Sequence, residues 1–267
     1  MRELTLRVAA AEAETALDEI LPALPGGLHI AEEGDVVALR ILDSPGTPPE
    51  EELRGLAGPG MIELRTAEVS DDWRERRLAR YRPLVVAERF LLRPEWAPGG
   101  GDDGLVEIVL EQTAAFGTGV HPTTQACLAT LAELDPGGSL ADVGCGSGVL
   151  SIAAARLGWS PVVAVDVEPS SVDTARRNAD RNGARVEVLQ LDVTAAAPPE
   201  SDTLVANVPP AVHVGLARRL GRAPATLVAS GFKPDEIPEV AQAWEAHGLS
   251  VADEVRANEW SLLVMRP

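Results

Sequence analysis

The 267-residue sequence predicts an α/β protein in two parts: a Rossmann-like, doubly wound sheet of seven strands and, before it, a small α+β domain of ferredoxin-like layout. Three observations carry that expectation. From Phe116 onward, short apolar runs alternate regularly with amphipathic stretches, the pattern of a parallel sheet covered on both faces. Within that region Asp142-Val143-Gly144-Cys145-Gly146-Ser147-Gly148 lies where one strand hands over to the next helix. The first 66 residues read in the order β-α-β-β-α-β, typical of two helices packed on one sheet.

In chain order, Leu4, Leu6 and Val8 alternate with polar residues as a strand does. Residues 10–24 carry Ala13, Ala16, Leu17, Ile20, Leu21 and Leu24 at helical spacing and stop at Pro25-Gly26-Gly27. Strands are expected near Leu28–Ala31 and Val36–Leu42 about the turn Glu32-Glu33-Gly34-Asp35. A helix from Pro48 to about Ala57 and a strand at Met61–Arg65 complete a domain over residues 1–66. Residues 67–110 read as a connector: a charged helical stretch ended by Pro83, a strand-like run Leu84–Leu92, a loop rich in Gly and Pro from Pro94 to Gly104, and a strand at Leu105–Leu110.

Residues 111–267 form the main domain. Strands are expected at Ser139–Val143, Val162–Asp166, Arg185–Leu191, Thr203–Ala206, Thr226–Ser230, Ser250–Val255 and Ser261–Met265, with helices over 124–134, 148–157, 170–182, 211–220 and 235–247. No helix separates the last two strands, so they should form an antiparallel hairpin at one edge.

Composition narrows the function classes. Hydrophobic residues make up 45% and charged residues 24%, which excludes wholesale disorder. Net charge is −18 and Lys233 is the only lysine, so direct binding to nucleic acid or an anionic membrane is not expected; a cationic partner suits the chain better, and a plain solvated acidic surface is the simpler reading. Two cysteines, Cys127 and Cys145, are too few for a disulfide framework or a structural zinc site, and the four histidines have no ligand-like spacing; no metal is expected. No apolar run approaches membrane-spanning length and the N-terminus lacks the apolar core of a signal peptide, which points to the cytoplasm.

The glycine string carries the first chemical signal. Without side chains at Gly144 and Gly146, a ligand can approach backbone N–H groups closely at a strand end. The spacing is G-x-G-x-G, with Val149 where a dinucleotide-binding turn has its third glycine, so it argues against a nicotinamide cofactor and for S-adenosylmethionine, which has no pyrophosphate. Asp166 lies 22 residues beyond Gly144 at the end of the next strand, where a carboxylate can accept from both ribose hydroxyls. Asp192, after the third strand, is placed either near the adenine amino group or as a plain turn residue. Asn207, ending the fourth strand before Val208-Pro209-Pro210, should face the crevice and serve a substrate amine or the amino-acid part of the cofactor. A seven-stranded sheet with these features and a terminal hairpin is the architecture of class I methyltransferases.

A further string is more distinctive: Ala115-Phe116-Gly117-Thr118-Gly119-Val120-His121-Pro122-Thr123-Thr124, a glycine loop feeding a helix capped by Thr123 or Thr124. With it the chain resembles the bacterial ribosomal protein L-11 methyltransferase family. The resemblance extends to Asp72-Trp73, Arg82-Pro83, Pro94-Glu95-Trp96, Ser230-Gly231-Phe232 and Glu259-Trp260, hence over most of residues 70–267. It implies cofactor contacts at Thr124, Gly144, Asp166 and Asn207. It also implies methylation of lysine side chains and the N-terminal amine of ribosomal protein L-11, with the small N-terminal domain recognising that protein. Another protein or a small-molecule amine is the alternative target.

Direct methyl transfer needs no nucleophilic triad, and none is present. His121 is the only candidate base, and a loop histidine bonded to backbone is the competing reading.

Overall fold

The computed structural model describes residues 2–20, 23–24, 29–42, 46–68, 84–99, 104–111, 119 and 121–267. The chain divides into two compact units, residues 1–82 with 112–114, and residues 83–111 with 115–267.

The smaller unit contains β1 (Arg2–Ala9), a single 3-10 turn (Ala10–Glu12), α1 (Ala13–Ile20), β2 (His29–Glu33), β3 (Val36–Leu42), α2 (Glu50–Ala57) and β4 (Met61–Glu68). The strands pair in the order β2-β3-β1-β4, all antiparallel. Alternation in β1 turns Leu4, Leu6 and Val8 inward, opposite Ile41, Leu39 and Val37, and against Ala16 and Ile20 of α1 and Leu53 of α2. Helix α1 is shorter than the predicted 10–24. A 3-10 turn precedes it, Ala23 and Leu24 lie beyond its end, and residues 21 and 22 lie outside the described residues. Helix α2 follows the sequence closely: three glutamates occupy its first turn, where the helix dipole favours them, and Gly58 closes it at φ +68°.

The larger unit opens with β5 (Leu84–Val86), β6 (Phe90–Pro94) and β7 (Val106–Leu110), a separate three-stranded sheet. The expected single run Leu84–Leu92 is instead a hairpin. Ala87 and Glu88 both take positive φ (52° and 49°), the tight turn usually built from Asn-Gly, so its sequence signal was missing. The sheet packs on the main domain: Val86, Phe90, Leu92, Ile108 and Leu110 share one core with residues such as Leu128 and Ile152. The helical stretch expected over 67–82 starts inside β4, where Ala67 and Glu68 pair with Glu3 and Arg2 as strand residues; the rest of it, with Asp72-Trp73, lies outside the described residues.

The main domain comprises α3 (Pro122–Glu133), β8 (Leu140–Val143), α4 (Val149–Leu157), β9 (Val162–Asp166), α5 (Pro169–Arg181), β10 (Glu187–Gln190), β11 (Thr203–Asn207), α6 (Pro210–Arg219), β12 (Thr226–Phe232), α7 (Ile237–Glu245), β13 (Ser250–Ala257) and β14 (Trp260–Arg266). Its seven strands run β10-β9-β8-β11-β12-β14-β13. The first five are parallel, and β14 enters antiparallel between β12 and β13. Strand order reverses between β8 and β11, the topological switch point at which open α/β sheets leave a crevice beyond their carboxyl ends. Two apolar layers, one on each face, seal the sheet, so β8 is buried throughout, as a parallel strand covered on both sides must be.

Asparagines of α5 and its C-terminal cap tie the small sheet to this domain. Asn182 treats Val109 as a strand partner would, accepting from its N–H through Oδ1 (2.8 Å) and donating to its carbonyl through Nδ2 (2.8 Å). Asn178, fully buried, accepts from the N–H of Glu111 (2.9 Å) and donates to the carbonyl of Ser147 (2.9 Å) in the glycine turn.

Candidate active site

The switch point is assembled from three strand ends. At the end of β8 the chain turns through Gly144 (φ +70°), Gly146 (+52°) and Gly148 (+79°). The N–H groups of Gly144 and Cys145 both donate to the carbonyl of Val165 (2.9 and 3.1 Å), which holds the turn against β9. Glycine is required twice over at 144: φ is left-handed, and a Cβ would run into Cγ1 of Val208. At 148 a Cβ would stand 3.1 Å from that of Ala175, so the glycine also lets α4 and α5 approach.

Asp166, at the end of β9, reaches back to this turn. Its Oδ2 accepts from the N–H of Gly146 (2.9 Å) and its Oδ1 from the N–H of Glu168 (3.0 Å). The spacing argument thus brought two separate segments into direct contact. One strand away, Asp142 was read only as the head of the glycine string, yet it is an ionisable group buried in the middle of the sheet. Its Oδ2 accepts from the N–H of Ser151 (3.0 Å), while Oδ1 has no partner. Desolvation pushes its pKa up to about 7, and the nearby charge of Asp166 adds to the rise. The sequence did contain the signal, a lone carboxylate in the all-buried strand Leu140-Ala141-Asp142-Val143.

Asn207, at the end of β11, is half-buried and donates through Nδ2 to Oγ1 of Thr123 (3.1 Å). Thr123 stands in the first turn of α3, and its hydroxyl lies 2.7 Å from Nδ1 of His121, the residue capping that helix. The His121 ring meets the Trp260 ring edge-on, with centroids 5.1 Å apart. Burial lowers the pKa of His121, and Glu259 opposes the shift. The cap is therefore His121 rather than Thr123 or Thr124. Thr124 is buried beside this network with no partner for its hydroxyl, and Thr123 is the residue that meets Asn207. Sequence reasoning did not single out that link, because it joins residues 84 positions apart.

Asp192, beyond β10, is exposed, and its Oδ1 accepts from both the hydroxyl (2.6 Å) and the N–H (2.8 Å) of Thr194. These bonds hold its carboxyl below the usual carboxylate range. This is the local Asx turn that the sequence allowed. Another histidine, His213, belongs to the core. Fully buried between Phe232 and Trp244, it bonds through Nε2 to the carbonyl of Ser230 (3.0 Å), and burial lowers its pKa to about 4. Beyond Ser230 in β12, Gly231 (φ +96°) lies so close to Val208 that a Cβ would fall 2.5 Å from that carbonyl oxygen, fixing the chain just after Asn207. Phe116, Gly117, Thr118 and Val120 of the distinctive loop lie outside the described residues. Among the described residues no cluster of His, Cys, Asp or Glu forms a metal site, and no helix is long and apolar enough to cross a membrane.

The arrangement provides positions rather than a nucleophile: backbone N–H groups at a glycine turn, a carboxylate against them, a buried orphan hydroxyl, and an amide at the crevice floor. Comparison with known proteins agrees with that chemistry. The family profile described as "Ribosomal protein L11 methyltransferase" matches residues 53–267. A protein of that name from Pelotomaculum thermopropionicum is 35% identical over 219 residues, 80% of this chain and 71% of that protein. One from Symbiobacterium thermophilum is 38% identical over 191 residues, 70% of this chain and 61% of that protein. Among solved structures, a ribosomal protein L11 methylase from Lactobacillus delbrueckii subsp. bulgaricus superposes with a TM-score of 0.61 at 26% identity, covering 69% of this chain and 98% of that one.

Proposed function

The chain belongs to the ribosomal protein L11 methyltransferase family, and on that premise we propose that it transfers methyl groups from S-adenosylmethionine to amino groups, lysine side chains and the N-terminal amine, of ribosomal protein L11. The observation that carries the reading is the contact between Asp166 and Gly146 at the switch point, two strand ends away from Asn207.

The residues present fit the cofactor. The glycine turn admits backbone approach at Gly144 and Gly146, and the carboxylate of Asp166 is suited to vicinal hydroxyls. The unpartnered hydroxyl of Thr124 and the amide of Asn207 remain for its amino-acid portion, and Asp192 for its base. Bound there, S-adenosylmethionine supplies a methyl group activated by a sulfonium. The chain's own part is then to hold a neutral amine in line with that methyl, an effect worth several kcal/mol when the reacting atoms are kept at near-attack distance. The capping role of His121 leaves it with its lone pair engaged, so the amine is taken up already neutral rather than deprotonated by this ring.

Residues 1–66 hold none of these groups, and we assign them to recognition of the protein substrate, with 67–110 as the joining segment and 111–267 as the methyltransferase domain. Tritiated-methyl transfer to purified ribosomal protein L11 tests the whole reading. Label on its lysines and N-terminus is expected. Label appearing instead on other species of a lysate, with none on this protein, would transfer the activity to another amine.

A further inference from the structure

The amide of Asn207 has two ends of nearly equal shape and opposite chemistry, a donating nitrogen and an accepting oxygen. Which end meets a ligand decides what the crevice floor can hold. The neighbouring hydrogen bonds settle it. The backbone N–H of Thr123 can only donate, and it is directed at Nδ1 of His121 (3.3 Å), so that nitrogen carries a lone pair. The hydroxyl of Thr123 lies 2.7 Å from the same nitrogen and, finding no proton there, must donate to it. Its oxygen is then an acceptor, and the Asn207 group 3.1 Å away has to be the NH2. Thr123 is 1% exposed, which keeps water from substituting for either neighbour. Trp260 packs against the ring, and burial lowers the pKa of His121 against the pull of Glu259.

We propose that His121 and Thr123 are positioning residues which set the polarity of Asn207, so that the helix cap of α3, through Nδ1, hydroxyl and NH2 in turn, leaves the amide oxygen as the acceptor offered to an amine N–H. The inference rests on the methyltransferase reading for the identity of that amine, which is either the amino group of the cofactor or the nitrogen to be methylated. The hydrogen-bond polarity itself does not depend on that reading.

Two measurements test it. In the full chain labelled with 15N-histidine, with the His121 signals assigned by their loss in His121→Gln, the ring should be the neutral Nε2–H form with an unprotonated, hydrogen-bonded Nδ1. A ring protonated at Nδ1 overturns the proposal. The second uses Thr123→Val, which removes the hydroxyl at nearly constant shape, and Thr123→Ser, which keeps it. If the oxygen serves the cofactor, Val weakens S-adenosylhomocysteine by about tenfold in calorimetry and Ser stays within about twofold. If it serves the acceptor amine, affinity holds while kcat at saturating cofactor falls by about tenfold in Val, recovers in Ser, and KM for the protein substrate changes little. A folded Thr123→Val equal to the parent in both assays overturns the positioning role. A parent chain that binds no S-adenosylhomocysteine refutes the methyltransferase reading instead, and the tautomer measurement still decides the polarity.

Discussion

Replacing Asp142 with asparagine should stabilise the protein, and increasingly so as pH rises. Asp142 is 1% exposed, one of its oxygens has no partner, and desolvation raises its pKa from 3.8 to about 7 against the hydrogen bonding of Ser151. A carboxyl whose pKa is raised by folding is favoured in its protonated form, so between about pH 4 and 7 the folded chain binds more protons than the unfolded one. Its contribution to stability is fully present below pH 4 and is lost as pH climbs through 7. Roughly three units at about 1.4 kcal/mol each set a ceiling of about 4 kcal/mol for the loss, of which about 2 kcal/mol falls between pH 5.5 and 8. The asparagine would keep the acceptor for the Ser151 N–H and cannot ionise. Urea unfolding of both proteins at several pH values gives the difference in stability directly. It should widen in favour of Asp142→Asn by about 2 kcal/mol over that interval. A constant difference across the range, or one that narrows, would mean that Asp142 does not titrate there.

Asp166→Ala should weaken S-adenosylhomocysteine by roughly 10- to 150-fold in calorimetry, the loss of a charged hydrogen-bonding interaction of about 1.5–3 kcal/mol, and unchanged affinity in a folded variant would remove Asp166 from the site. Asn182→Ala leaves both the N–H and the carbonyl of half-buried Val109 without the partner they have at the end of α5, at about 0.5–1.5 kcal/mol for each bond, and should accelerate hydrogen exchange at Val109 well before global unfolding; protection equal to the parent's would show that β7 is held by other contacts. A chain beginning near Ala67 should bind S-adenosylhomocysteine with little change and methylate ribosomal protein L11 poorly, while free lysine or a short peptide, if turned over, is affected far less. Full-rate modification of the ribosomal protein by that shortened chain would refute the recognition role of residues 1–66.

The strands and helices of the main domain were legible almost to the residue because each announces itself locally. Val162–Asp166 is expected and observed with the same ends, and Pro169 and Pro210 open helices whose first turn has no use for their missing N–H. Gly144 and Asp166 were legible for the same reason: a positive φ and a carboxylate at a strand end are properties of single positions with fixed spacing. What escaped was either built from unlikely residues or made across distance. The Ala87-Glu88 turn uses none of the usual turn residues, so two strands were read as one. Asn178 and Asn182 look like ordinary polar residues of an amphipathic helix until β7 is seen against them, with partners 67 and 73 positions earlier in the chain. Thr123 went unnoticed because its hydroxyl gains a meaning only once its partner, Asn207, is located 84 positions away.

The sign of the charges bears on why so few side chains suffice. A lysine amine arrives as a cation, and a chain of net charge −18 draws it in, yet only the neutral amine can accept a methyl group. Carboxylates close to the amine would raise its pKa and work against the reaction. Near the switch point, however, the carboxylates are already occupied or suppressed. Asp142 is buried and pushed toward its neutral form, Asp166 is bonded to two backbone N–H groups, and Asp192 is bound into its own turn. Asn207 brings an uncharged amide to the end of β11, bonded to the hydroxyl of Thr123. On the proposed reading, a site that holds a sulfonium would favour the neutral amine over the cation, which fits uptake of an amine that has already lost its proton to water.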